Sequence, residues 1–129
     1  MKRSIILIIL SLLLFSACMT TSPENTILVS YYPPQCWETP WETLWFEDND
    51  KTMVDWYALT ENQRLNIIKD YVEEELNVNV IDIDHYPLPP DMGVRCACGL
   101  PRGEHYEILI SEDELELMQL NGFILIRDQ

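Results

Sequence analysis

The stretch from Cys96 to Ile126 constrains the fold of this chain most. Tyr106, Ile108 and Ile110 alternate with His105, Glu107 and Leu109, a two-residue period that predicts a strand with one apolar face. Ser111-Glu112-Asp113-Glu114 has the spacing of a capping box, in which hydroxyl and carboxylate satisfy the free N–H groups of a helix start. Ile110 and Leu115 stand where a hydrophobic staple closes over such a start. Leu115, Leu117, Met118 and Leu120 carry the helix on, and Asn121-Gly122 stops it. Phe123 to Ile126 is apolar on both phases, which predicts a covered inner strand. Strand, helix and strand in so short a span suit a right-handed crossover.

The preceding chain repeats the same grammar. Thr26 to Tyr32 is β-branched and aromatic and predicts a first strand, halted by Pro33 and Pro34. Thr39, Pro40 and Glu42 fit the N-cap, first position and reciprocal partner of a helix running to about Glu47, with Trp41 and Trp45 on one face. Asp48-Asn49-Asp50 ends it. That trio is not a calcium loop, because the sixth position is Met53 rather than Gly and the twelfth is Leu59 rather than Glu. Lys51 to Leu59 reads equally as helix or extended chain. Thr60 and Gln63 open a longer helix to about Asn77, with Leu65, Ile68, Val72 and Leu76 in one apolar stripe. Val78 to Asp84 predicts a strand with a break in phase, from a bulge near Val80 or from Val78 belonging to the helix exit. Pro87, Pro89 and Pro90 predict a stiff loop, and Val94 to Cys98 a return to the sheet. The expectation is a small single α+β domain, two or three helices packed on one face of a three- to five-stranded, mostly antiparallel sheet.

The N-terminus is an address. Lys2 and Arg3 precede an apolar run from Ile5 to Phe15, then Ser16, Ala17 and Cys18. This is a secretory signal layout, and the run is too short to read as a membrane span. Phe15-Ser16-Ala17-Cys18 resembles the lipobox of bacterial lipoproteins, with Phe15 where Leu is usual. The resemblance implies that residues 1–17 are removed and that Cys18 is lipidated at the head of a tether over residues 18–25. The domain proper is then 26–129. Several acyl chains together give a stable membrane anchor. Met19 in place of Asp implies, by the same resemblance, the outer membrane.

Charge narrows the partners. The chain holds 22 acidic and 8 basic side chains, a net charge of −14, and two of the basic ones lie in the signal. No basic patch is left to neutralise phosphates, which excludes nucleic acid as a partner and anionic lipid as a surface for the domain itself. The charge reads as a solvated surface that keeps an anchored domain soluble. Nothing resembles a nucleophile elbow, a phosphate loop or an HExxH helix, so the expectation is a non-enzymatic module without a cofactor.

Cys96-Ala97-Cys98 through Gly103, then a strand, an acidic helix start and Asn121-Gly122-Phe123, resembles a group of small bacterial lipoproteins. That group carries a Cys-x-Cys-Pro-x-Gly turn, whereas Gly99 and Leu100 here separate Cys98 from Pro101. The resemblance implies location and fold class and no activity.

Three cysteines besides Cys18 would face an oxidising compartment, which predicts one disulfide and one cysteine over. Cys36 to Cys96 or to Cys98 closes a loop worth roughly 4 kcal/mol. Cys96 to Cys98 closes a tiny ring that constrains little. The alternatives are a soft metal site on Cys36, Cys96 and Cys98 with His105 or His85 as fourth ligand, or a redox thiol pair. Acidic surroundings, relieved only by Arg95 and Arg102, disfavour the thiolate that either requires. Trp37, Trp41 and Trp45 lead a run of aromatics that either fills the core or stacks on sugar rings of a glycan partner. An envelope protein is the other candidate partner.

Overall fold

The computed structural model describes residues 25–88, 98 and 100–126. Along these, β1 (Thr26–Tyr31), α1 (Pro40–Asn49), α2 (Met53–Ala58), α3 (Glu61–Glu74), β2 (Asp82–Pro87), β3 (Glu104–Ser111), a 3₁₀ turn (Glu112–Glu114), α4 (Leu115–Leu120) and β4 (Ile124–Leu125) follow one another. The strands form one antiparallel sheet in the order β2-β3-β1-β4. The fold is the expected small α+β domain.

Strand register sorts the residues by face. Val29 lies opposite Ile108, and Ile108 opposite Ile83. Val29, Tyr106, Ile108 and Ile110 are buried on the helix side, against Trp41, Trp56, Ile68, Val72 and Met118. One rung away, Ser30, Glu107 and Asp84 line up across three strands on the opposite face. The alternation predicted for residues 105–110 is therefore the alternation that builds the core.

Helix starts follow the predicted chemistry. Thr39 N–H donates to Glu42 Oε2 at 2.7 Å, and Glu42 N–H to Thr39 Oγ1 at 3.4 Å. Thr60 and Gln63 do the same at 2.9 and 3.3 Å. Ser111 N–H donates to Glu114 Oε2 at 3.2 Å. The ambiguous segment is settled as α2, whose start is held by Asp55 Oδ2 accepting from Thr52 N–H and hydroxyl, at 2.9 and 3.0 Å. These contacts hold the Asp55 carboxyl below the usual carboxylate range.

Helix ends use left-handed residues. Asp50 (φ 52°) closes α1, and Asn77 (φ 54°) turns the chain after α3. After α4, Gly122 (φ 88°) donates to Gln119 O and Phe123 N–H to Met118 O, both at 3.1 Å. Those two bonds make a Schellman motif, and Met118 and Phe123 supply its apolar contact inside the core.

Two expectations are corrected. The strand expected over 78–84 runs from Asp82 to Pro87, because Val78 N–H bonds back to Val72 O at 3.2 Å and belongs to the helix exit. Val78 and Val80 are core residues without being strand residues. The strand expected over 123–126 is the two-residue edge strand β4, with Phe123 buried before it and Ile124 exposed. β4 pairs with β1, so β3, α4 and β4 make the expected crossover, with β1 lying between the two parallel strands. The expected return of Val94 to the sheet, and Pro89 and Pro90, lie outside the described residues.

Candidate functional site

Two prolines end β1, and the chain after them is fastened to the loop before β3. Pro34 pairs with Pro101, Gln35 N–H donates to Leu100 O at 2.9 Å, and Arg102 N–H to Pro33 O at 2.8 Å. A disulfide joins Cys36 to Cys98 across 62 residues of sequence, with Cα atoms 4.7 Å apart. Arg102 locks the pair of loops from within. Its Nε donates to Pro34 O at 2.8 Å, and its Nη2 to Trp37 O at 2.6 Å and Glu42 Oε2 at 2.8 Å. Nη1 pairs with Glu42 Oε1. Glu42, fully buried, thus serves both the cap of α1 and this ion pair. Burial works against the Arg102 charge, but the Glu42 hydrogen bonds and charge outweigh it and raise the pKa above its ordinary value.

The clasp separates the three tryptophans proposed as a sugar platform. Trp37 rides outside it, 61% exposed. Trp41 is 1% exposed, ringed by Tyr31, Tyr71, Tyr106 and Phe123. Its indole N–H and that of Trp56 are buried without a partner. Trp45 is half-buried against Phe46 and Trp56. A continuous aromatic platform on Trp37, Trp41 and Trp45 is excluded by this geometry, because the middle ring is core.

Trp41 and Trp45 share one face of α1, as their spacing predicts, and that face lines a groove against α3. The groove encloses about 160 Å³. Tyr71, Leu44 and Ile67 complete its apolar lining, and Asp48, Asp70, Glu74 and Glu75 stand at its edges. Burial, then the Glu75 charge, pushes the Tyr71 hydroxyl up from its ordinary range.

Of the residues proposed for a metal site or a redox pair, the structure brings Cys36 and Cys98 together as a disulfide. Cys36 and Cys98 are bonded to each other, so neither supplies a thiolate. Cys96 and Cys18 lie outside the described residues. His105 sits on the helix-free face of the sheet, stacked between Tyr32 and Tyr86 at 5.1 and 5.6 Å, with Nε2 3.2 Å from Glu107 Oε1. His85 lies on the helix side, its Nε2 3.0 Å from Glu104 Oε2 and its Nδ1 3.8 Å from Glu61 Oε2. Both histidines, suggested by the sequence as a fourth metal ligand, thus have carboxylate partners. Among the described residues no group of three or more metal-ligating side chains is assembled. The Arg102–Glu42 pair was missed by sequence reasoning, since nothing in either residue's neighbourhood marks a partner 60 positions away.

No family model, no curated protein and no solved structure matches this chain.

Proposed function

We propose that this chain is an extracytoplasmic lipoprotein, held on the membrane by acyl chains on Cys18, with residues 26–129 as a non-enzymatic binding or accessory module. One observation carries the reading: Lys2 and Arg3, the apolar run to Phe15, and then Ser16-Ala17-Cys18. The Cys36–Cys98 disulfide supports it, because such bonds persist in oxidising compartments outside the cytoplasm. The acidic composition supports it too, since a strongly negative domain is repelled by anionic headgroups and needs the anchor to stay at a membrane. The outer membrane is the proposed destination, on the strength of Met19. The proposed partner is another envelope component.

The test is processing in the native host. Globomycin, which blocks the lipoprotein signal peptidase, is expected to make an unprocessed precursor accumulate. Intact mass of the mature protein is expected to show diacylglyceryl and acyl groups on Cys18. A mature chain of unmodified mass, insensitive to globomycin, overturns the proposal.

A further inference from the structure

The groove between α1 and α3 is distinct from the clasp and the anchor. Each helix gives it one stripe: Trp41, Trp45 and Asp48 from α1, and Asp70, Tyr71 and Glu74 from α3. These spacings of three, four and seven place side chains on one helix face. The resulting wall is aromatic low down and anionic at the rim.

The rim carboxylates take no part in the ion pairs of the described residues. Among the described residues, the ion pairs of Lys and Arg join Lys69 to Glu73 and Arg102 to Glu42. None uses Asp48, Asp70, Glu74 or Glu75. The rim also lies at the wrong helix ends for anions. Asp48 is in the last turn of α1, Glu74 ends α3, and neither helix has a basic residue in its last turn. A helix C-terminus carries about half a negative charge and is normally complemented by Lys or Arg. Here four exposed carboxylates and two helix C-termini stand around one opening.

A cation is drawn to this negative rim, and the Trp and Tyr rings lining the groove add their own attraction for it. An anion is repelled. A neutral sugar gains stacking and hydroxyl-to-carboxylate hydrogen bonds, but it lacks the charge attraction that four carboxylates offer a cation. Size narrows the class further. A space of about 160 Å³ is below the roughly 300–1,000 Å³ of drug-sized pockets and suits an ammonium head with a few methylenes. Leu44 and Ile67 line the apolar part that methylenes would meet.

We infer that this groove binds a small alkylammonium ligand, a mono- or diamine. Its charged head lies among Asp48, Asp70, Glu74 and Glu75, and its methylenes lie against Trp45 and Tyr71. The inference rests on the reading of residues 26–129 as a binding module and names the ligand class. It is independent of the modification of Cys18.

The experiment is calorimetric titration of the full chain, in detergent at low salt, with cadaverine and with its neutral isostere 1,5-pentanediol. Saturable binding of cadaverine, weakened by salt and absent for pentanediol, is expected. The double variant Asp70→Asn/Glu74→Gln, which removes two exposed rim charges and leaves the core untouched, is expected to bind about fivefold more weakly. Circular dichroism verifies its fold, and the two wild-type titrations stand without it. No saturable heat with cadaverine, equal binding of pentanediol, or unchanged affinity in the double variant overturns the inference. Any of these leaves the anchoring result as it was, and loss of the anchor leaves the titration as it was.

Discussion

The guanidinium of Arg102 reaches Glu42 across 60 residues of sequence and also takes the carbonyls of Pro34 and Trp37. A buried carboxylate left without its cation cannot recover water, so removing one partner costs far more than the pair contributes on balance. Arg102→Ala is therefore expected to destabilise the domain by about 3–5 kcal/mol in urea unfolding. Arg102→Lys is expected to restore only part of that, because the three tetrahedral donors of an ammonium cannot meet four acceptor oxygens placed around a planar guanidinium. An alanine variant within 1 kcal/mol of wild type, a change typical of surface pairs, would refute the clasp as described. At this scale the sequence showed Glu42 as a cap partner and left Arg102 as a local charge beside two cysteines.

Helices were the most legible elements. Thr39 with Glu42, Thr60 with Gln63 and Ser111 with Glu114 are local signals, and each marks a real helix or 3₁₀ start. Thr52 with Asp55, inside the stretch that reads equally as helix or extended chain, has Asp in place of the usual Glu or Gln, and its shorter arm still reaches the Thr52 N–H. Strand ends were less legible. β2 starts later than its apolar run, because Val78 and Val80 are buried by tertiary packing rather than by pairing. The disulfide acts at this scale, tying the loop after β1 to the loop before β3. A closure of 62 residues is worth about 4 kcal/mol in the chain-entropy model. Cys36→Ser is expected to lower the urea midpoint accordingly, and a midpoint unmoved by both this change and by reductant would show that the bond does not constrain the unfolded chain.

Across the whole molecule the helix side of the sheet is sealed and rich in tyrosine. Burial pushes the hydroxyl of Tyr106 well above its ordinary range, with Glu104 adding to the effect. Burial, then neighbouring Tyr71, raises Tyr31, and Tyr71 itself is raised. Each folded pKa stands above the ordinary 10.0, so in that range the unfolded chain gives up protons first. The sign follows: the tyrosine contribution to stability is fully present below pH 10 and is lost as pH rises towards the folded values. Alkaline titration followed by tyrosinate absorbance is expected to show buried Tyr106 ionising last. That late, steep step is expected to coincide with loss of circular dichroism. Smooth ionisation of all six tyrosines with the fold intact would contradict the packing.

What the sequence determined by itself is whatever depends on neighbours a few positions apart. Capping boxes, the alternation of residues 105–110, the Asn121-Gly122 stop and the α+β class all have that range, since hydrogen bonds and helix or strand periods act locally. Tertiary structure alone decided which cysteine meets Cys36 among the described residues, that Trp41 is core while Trp37 is surface, and that Glu42 receives Arg102. It also decided that β4 lies beyond β1, and that two acidic helix ends meet around one aromatic groove. Those outcomes depend on which distant surfaces bury each other, and the hydrophobic force that brings them together carries no direction a single stretch of sequence could record.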